Sequence, residues 1–279
     1  MRVRLAIVAF LAFALLGTRS LAPPPATTSG ALGRGPVIAI VHGLGSSADH
    51  WLPVARLLAR EHRVRLVDLP GHGASAMPEP FSLDRAGEAL DLALATERDP
   101  IVLVGHSLGG LVATASALAH PERLRGLVLV ETALRPQVED ADRALALESL
   151  DHDYQGLLRQ AYGAFGRDSV QGAALYAEVA RMNPEIVKPW IRMALTTDLS
   201  EEVARLHVPV LVVLAPRSWP HGEAWTVTAE ALGYARVPNA LPVRIENCGH
   251  FIMLDQPEAL ARAIERFADL PGGEQVASR

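Results

Sequence analysis

Cysteine is nearly absent from this chain of 279 residues: Cys248 is the only one, so no intramolecular disulfide can form. Clusters of lysine or arginine are also missing, and 26 basic against 31 acidic residues give a formal charge of −5 at pH 7. Without a basic patch, nucleic acid is not expected as a partner. Stability must then come from the core. The hydrophobic content of 49% is enough for one large domain with an inserted subdomain.

Apolar runs long enough to span a bilayer as a helix, which takes about 20 residues, are missing as well. The apolar run Leu5–Leu16 follows two arginines and precedes Ser20-Leu21-Ala22, a small-x-small pattern typical of signal-peptide cleavage. We therefore expect residues 1–22 to be a signal peptide, and the protein to be exported without a stable membrane span. Pro23 directly after the cut disfavours cleavage there, so a membrane tether formed by an uncleaved N-terminus stays open.

Proline, threonine, serine and glycine fill residues 23–35, which predicts a flexible leader before a folded domain that begins at Pro36. Residues 270–279 are interpreted as a tail. Between them, strand-like and helix-like segments alternate, which predicts an α/β fold: a mostly parallel sheet of about six strands with helices on both faces. The predicted strands are Val37–His42, Val64–Asp68, Ile101–Gly105, Leu127–Val130, Val210–Leu214 and Val243–Glu246.

One long stretch has no strand-like run, between Thr132 and His207. Four segments in it have helical spacing, which predicts an all-helical cap insertion over residues 133–206. The α/β core would then comprise residues 36–132 and 207–269. Aromatic residues in the cap are expected to be core or to line a pocket; they are Tyr154, Tyr162, Phe165, Tyr176 and Trp190.

The pentapeptide Gly105–Gly109 has the pattern G-x-S-x-G, with Ser107 at its centre. A predicted strand runs into it and a helix rich in glycine and alanine leaves it. A sharp strand-to-helix turn of this kind lifts the serine hydroxyl above the edge of the sheet, and the helix N-terminus favours negative charge there. Ser107 is therefore the candidate nucleophile, while His106 beside it is expected to be a packing residue.

Two loops after other strands supply candidate partners. The glycine-rich loop His42–Gly45 follows the first strand, and the backbone N–H groups of Leu44 and Leu108 are the natural pair of donors to an oxyanion. His250 follows the last strand, in the order that a histidine base requires, and an imidazole accepts a proton from serine at neutral pH.

Four motifs in this order resemble the α/β-hydrolase superfamily, in its esterase-like branch with a helical cap: HGLG, DLPGHGAS from Asp68, GHSLGG and CGHF. The resemblance covers about residues 36–269. It implies hydrolysis of a small-molecule, ester-like substrate through an acyl-enzyme, without a metal or organic cofactor. Such proteins commonly begin with a β-hairpin, which we expect to be missing here because the leader is flexible in composition.

The acid of the triad is missing from its usual position in this family. After Pro209–Leu214, alanine stands where glycine is usual and Ser218 where aspartate is usual. Some members of the family carry the acid just after the strand that follows the helix behind the nucleophile, and that position here is Glu131. Because it ends the fourth predicted strand, beside the nucleophile strand, Glu131 is the expected partner of His250. Glu223, or a dyad without a carboxylate, remain alternatives.

Carboxylic-ester hydrolysis by a serine hydrolase is the function that these features predict, with Ser107, His250 and Glu131 as the catalytic residues. Two alternatives stay open. A non-catalytic, ligand-binding member of the fold is supported only by the missing aspartate at position 218. An acyltransferase or cofactor-free perhydrolase would use the same site, because the acyl acceptor depends on access to the pocket.

Overall fold

The computed structural model describes residues 28–73 and 75–270. The predicted signal peptide over residues 1–22 and the predicted tail from 271 onward lie outside the described residues and stay predictions. Among the residues that are described, no helix is both long enough and apolar enough to cross a membrane.

A single twisted sheet of seven strands organises the chain, in the order β1-β3-β2-β4-β5-β6-β7. Its strands are β1 (Thr28–Leu32), β2 (Val37–Val41), β3 (Arg63–Val67), β4 (Ile101–His106), β5 (Leu124–Val130), β6 (Val210–Leu214) and β7 (Ala240–Arg244). All neighbouring strands are parallel except β1 and β3. The predicted fold class, α/β with a mostly parallel sheet, is confirmed.

The first strand corrects two expectations. Residues 28–32 belong to the stretch predicted to be a flexible leader, but they form β1, which pairs antiparallel with β3 from Thr28 opposite Val67 to Leu32 opposite Val64. The sheet therefore has seven strands where about six were expected, and it does carry an antiparallel strand at its front edge. The small residues of Thr28–Leu32 have weak strand propensity. Pairing along the open edge of β3, whose N–H and C=O groups need partners, compensates for it.

Helices cover both faces of the sheet, which explains why strands β4 and β6 are buried along their whole length. On one face lie α1 (Ala48–Leu58), α9 (Ile252–Asp255) and α10 (Pro257–Ala268). On the other lie α2 (Leu83–Ala93), α3 (Leu108–Ala119) and α8 (Trp225–Leu232). The hydroxyl of Ser82 accepts the amide of Arg85 and so caps α2.

Four helices form an insertion between the adjacent strands β5 and β6, and we call it the four-helix insertion. They are α4 (Asp140–His152), α5 (Tyr154–Phe165), α6 (Ser169–Val179) and α7 (Pro184–Thr196). Polar side chains cap three of their N-termini by accepting a first-turn amide: Asp153, Asp168 and Asn183.

The four-helix insertion is hydrogen-bonded to loops at the carboxyl ends of the strands. Trp190 Nε1 donates to the carbonyl of Pro70 at 3.1 Å, and the Tyr162 hydroxyl donates to the carbonyl of Leu44 at 2.8 Å. Ligand crevices of parallel α/β sheets form at this edge. The insertion therefore lies over the edge where a site is expected.

Candidate active site

Ser107 stands alone between β4 and α3, at φ 51° and ψ −122°. A non-glycine residue in this region of positive φ is strained by about 1–3 kcal/mol and persists only where its surroundings hold it. Here two glycines permit the tight turn. A Cβ on Gly109 would lie 2.3 Å from the carbonyl oxygen of His42, and one on Gly105 would lie 2.5 Å from Cα of Gly110. The turn thus has the strained strand-to-helix geometry that the sequence predicted.

Leu44 and Leu108 flank this turn. Leu108 is the first residue of α3, so its amide is one of the unpaired donors of a helix N-terminus. Leu44 belongs to the loop after β2, and that loop approaches the nucleophile closely: a Cβ on Gly43 would lie 2.9 Å from Cβ of Ser107. In the described part of the chain, neither amide donates a hydrogen bond to another residue.

His250 and Glu131 come together although 119 residues separate them: Nδ1 of the imidazole lies 3.1 Å from Oε2 of the carboxylate. Glu131 follows β5 at φ 47°, and its side chain is fully buried. A carboxylate in its ionised form only accepts, so Nδ1 carries the hydrogen of this bond and Nε2 is the nitrogen left for another partner.

The loop after β6 supplies donors to Glu131. The amide of Ala215 donates to Oε1 at 2.7 Å, the Ser218 hydroxyl donates to Oε2 at 3.0 Å, and Arg217 Nη1 lies 3.3 Å from Oε2. The residue that replaces the family's usual aspartate therefore holds the carboxylate of Glu131. From the sequence, Ser218 marks only the missing aspartate, because its bond to Glu131 joins segments that are distant in the chain.

Glu223, the alternative acid, makes a different contact. Its Oε1 accepts the hydroxyl of Thr228, a residue of α8, at 2.6 Å. Of the two carboxylates considered, the structure brings only Glu131 into contact with His250.

Backbone and ring contacts hold His250 from several sides. Its amide donates to the carbonyl of Phe165 at 2.9 Å, and its ring stacks on the Phe165 ring with centroids 4.4 Å apart. Its carbonyl accepts from His106 Nε2 at 3.0 Å. Burial, followed by the nearby His250, lowers the pKa of His106 well below its usual value, so His106 is a neutral donor as well as a packing residue.

Asp255 also supports this loop and was not singled out from the sequence. Its Oδ2 accepts the amide of Gly249 at 2.9 Å, and its Oδ1 accepts from Gln171 at 2.7 Å and from Arg167 at 3.1 Å. This buried carboxylate links α6 to the histidine loop. No local motif marks such a residue, because its partners are distant in sequence.

A cavity of about 610 Å³ contains Ser107, His250 and Glu131 in its lining. Most of the remaining lining is aliphatic or aromatic and comes from α3, α5, α7 and the loops at this edge of the sheet. In the described part of the chain, the Ser107 hydroxyl makes no hydrogen bond to His250, a condition common before substrate binds. The cavity has the size and character of a small-molecule site.

The lone thiol stays outside this chemistry. Burial, followed by the charges of Glu131 and Asp255, raises the pKa of Cys248 to about 12, and its Sγ lies 3.0 Å from the carbonyl of Ile245. Because the thiolate is the nucleophilic form, this shift disfavours Cys248 as a nucleophile at neutral pH.

Two further histidines order the loop that carries Leu44. His42 Nδ1 donates to the carbonyl of Gly43 at 2.8 Å, and its Nε2 accepts the amide of Leu69 at 3.2 Å. His72 Nδ1 donates to the carbonyl of Pro70 at 3.2 Å, which leaves Nε2 as an acceptor for the amide of Gly45 at 3.4 Å. Burial and the neighbouring His42 lower the pKa of His72 to about 4, against the weaker opposing effects of Pro70 and Asp68.

We expect His72 to make the fold acid-sensitive. Its folded pKa of about 4 lies below the unfolded value of 6.5, so the unfolded chain binds the proton first as the pH falls. The contribution of neutral His72 to the free energy of unfolding is fully present above pH 6.5. It is lost as the pH falls from there to about 4. It amounts to about 3 kcal/mol as an upper estimate.

Denaturant unfolding at several pH values between 7 and 4 measures this effect. His72→Gln should have a lower free energy of unfolding at pH 7 but a flatter dependence on pH than the wild type. His221→Gln is the matched control, because that histidine is exposed. Equal slopes for His72→Gln and the wild type would contradict the expectation.

Fold and site together define a serine hydrolase of the α/β type. A sequence model described as "Alpha/beta hydrolase family" matches residues 38–263, which is most of the chain. The chain belongs to the alpha/beta hydrolase family, and the prediction of an esterase-like enzyme of this fold is confirmed by the relatives that follow.

Among curated proteins, the chain is similar to a pimeloyl-(acyl-carrier protein) methyl ester esterase from Nitrosomonas europaea, with 30% identity over 246 residues that cover 81% of this chain and 93% of the relative. Among solved structures, it is similar to a hydrolase from Oleispira antarctica, with a TM-score of 0.73, 17% identity and coverage of 87% and 94% of the two chains. The enol-lactonase from Burkholderia xenovorans LB400 gives a TM-score of 0.71, 21% identity and coverage of 86% and 95%. At these identities the structural matches bear on the fold alone.

Proposed function

We propose that this protein hydrolyses carboxylic esters through an acyl-enzyme on Ser107. His250 is the general base, and Glu131 is the acid that orients it. The backbone amides of Leu44 and Leu108 are the donors to the oxyanion. One observation carries the proposal: Nδ1 of His250 lies 3.1 Å from Oε2 of Glu131. This bond leaves Nε2 as the basic nitrogen of an imidazole that lines the same cavity as Ser107.

In the acylation step, Oγ of Ser107 attacks the acyl carbon and its proton passes to Nε2 of His250. The carbonyl oxygen becomes an oxyanion that accepts from the two backbone amides, which are worth more here than in water because they are fixed in advance. Collapse of the tetrahedral intermediate breaks the bond to the alcohol oxygen, which leaves with the proton from Nε2.

Deacylation repeats the sequence with water. His250 takes a proton from water, the resulting hydroxide attacks the acyl carbon, and the acid leaves as Nε2 returns the proton to Ser107. Throughout both steps Glu131 fixes the tautomer and stabilises the imidazolium. The amide of Ala215 and the hydroxyl of Ser218, on the loop after β6, hold its carboxylate in place by hydrogen bonds.

The substrate is proposed to be a small or medium ester with an apolar part. The lining contributed by the four-helix insertion is apolar at Leu157, Ala161, Ile191 and Ala194. The methyl ester named for the curated relative supports an ester over an amide. Burial of each added methylene contributes about 0.8 kcal/mol, which is up to about fourfold in kcat/KM.

A series of p-nitrophenyl esters from acetate to laurate tests this. We expect kcat/KM to rise by up to about fourfold per methylene and then to fall once the acyl chain exceeds the cavity. Ala194→Phe should move the maximum to shorter chains by filling space. Ala173→Phe adds the same side chain at an exposed position of α6 and should leave the preference unchanged.

A flat dependence on acyl length, or equal effects of the two phenylalanine variants, would remove the support for an apolar acyl site. Product analysis in the presence of an added alcohol distinguishes the alternatives on the same site. Release of the free acid supports hydrolysis, whereas exclusive formation of the new ester identifies an acyltransferase.

A further inference from the structure

The peptide between Leu44 and Gly45 is held at both of its polar groups. The carbonyl of Leu44 accepts the hydroxyl of Tyr162 at 2.8 Å, and the amide of Gly45 donates to His72 Nε2 at 3.4 Å. Tyr162 lies on α5 of the four-helix insertion, while His72 lies on the loop after β3. Two separate parts of the molecule therefore fix one peptide plane.

The preceding peptide carries the proposed oxyanion donor. Its carbonyl, that of Gly43, accepts from the amide of Ser46 at 3.2 Å and from His42 Nδ1 at 2.8 Å. In a trans peptide the N–H points opposite to the C=O, so the amide of Leu44 is directed away from these two donors.

Of the two peptides beside Leu44, only the one that carries the Gly43 carbonyl is hydrogen-bonded from within the loop. Leu44 stands between Gly43 and Gly45, and Gly45 is at φ +67°, a conformation that only glycine adopts at little cost. Glycine on both sides lets the peptides of Leu44 rotate readily. The bonds of His42 and Ser46 hold the peptide before Leu44. The peptide after Leu44 must be held from outside the loop, and a rotation there would also turn the Leu44 amide.

Tyr162 supplies such a contact from a buried position on α5. Its side chain is 3% exposed, and burial raises its pKa above the ordinary value, so the hydroxyl remains a donor at every working pH. The packing is close: a Cβ on Gly45 would lie 2.6 Å from the Tyr162 hydroxyl oxygen.

We infer that Tyr162 is a positioning residue of the oxyanion hole, which it serves by fixing the Leu44 carbonyl from the four-helix insertion. The insertion then contributes to transition-state stabilisation as well as to the lining of the cavity. This inference rests on the proposed function, because it takes the Leu44 amide as an oxyanion donor.

Tyr162→Phe tests the inference with the loss of one oxygen atom. Complete removal of an oxyanion donor lowers kcat by about 10²- to 10³-fold. Here the donor remains but is less well directed, so kcat should fall by about 10- to 100-fold. We expect this loss in kcat, with KM within about twofold of the wild type. Affinity for a trifluoromethyl ketone, which forms an oxyanion on the serine, should fall by the same factor. Affinity for an unreactive ether of the same chain should not change.

Tyr154→Phe is the matched control. Tyr154 is another buried tyrosine of α5, and its hydroxyl has no hydrogen-bond partner in the described part of the chain. Its variant should keep wild-type kcat and wild-type affinity for the trifluoromethyl ketone. Circular dichroism and thermal unfolding of both variants check that each is folded under the assay conditions.

Two outcomes separate the inference from the proposed function. If folded Tyr162→Phe matches the wild type in kcat and in affinity for the trifluoromethyl ketone, or if it changes only KM, Tyr162 has no positioning function and the inference is overturned. If the wild type itself neither hydrolyses esters nor binds the trifluoromethyl ketone, the proposed function fails instead.

Discussion

Replacing Glu131 with glutamine should lower kcat by about 10⁴-fold, the size of the effect when a serine protease loses the carboxylate of its triad. Glutamine keeps the size of the side chain but removes the charge that stabilises the imidazolium. Its NH₂ group, turned toward Nδ1 of His250, would also favour the wrong tautomer. Steady-state kinetics on a p-nitrophenyl ester measure the loss, and KM should change little because Glu131 acts through His250.

Glu223→Gln is the control for this variant, since the two carboxylates were the alternatives and Glu223 bonds to Thr228. It should retain kcat within a few-fold of the wild type. The opposite pattern, with a large loss for Glu223→Gln and almost none for Glu131→Gln, would contradict the assignment.

A second substitution, at Ser218, tests whether a carboxylate from the loop after β6 can replace that of Glu131. Oγ of Ser218 lies 3.0 Å from Oε2 of Glu131, so an aspartate at position 218 would bring a carboxylate close to His250 from the loop after β6. Ser218→Asp in the Glu131→Gln background should recover part of the lost kcat. Failure to recover any activity in a folded double variant would indicate that position 218 cannot reach Nδ1.

Ser107→Ala should lower kcat by about 10⁶-fold, as removal of the nucleophile does in serine proteases. The residual rate would come from substrate binding and the oxyanion donors alone. The strained backbone of this position, at φ 51°, is relieved little by alanine, so the fold and its thermal stability should be nearly unchanged.

Reaction with a fluorophosphonate probe provides the control for this variant. The wild type should be labelled at Ser107, while Ser107→Ala should not react and His250→Ala should react far more slowly. Labelling of folded Ser107→Ala at a wild-type rate would show that another residue is the nucleophile.

Most of the fold was predictable because it depends on local patterns. The buried parallel strands are continuous apolar runs, and the helices between them have amphipathic spacing or N-caps such as Ser82. Thr28–Leu32 was missed because its pairing with β3 is a tertiary effect that overrides a composition of small, weakly strand-forming residues.

In the candidate site, too, local motifs predicted some residues, while others depend on contacts between distant segments. Ser107 and His250 are marked by short motifs whose glycines and flanking elements can be read from the chain. Glu131 was predicted from the resemblance, because some members of the family carry their acid at this strand end beside the nucleophile strand. Its donors Ala215 and Ser218, and the support that Asp255 gives to Gly249, depend on contacts between distant segments, so no local pattern indicates them.

Intact-mass spectrometry during turnover of a slowly hydrolysed p-nitrophenyl ester tests the mechanism most directly. We expect a stoichiometric burst of p-nitrophenol and a transient mass increase equal to one acyl group. Peptide mapping should assign this group to Ser107, and it should decay as free acid is released. Steady hydrolysis with no adduct, or an acyl group found on Cys248 or any other residue, would contradict it.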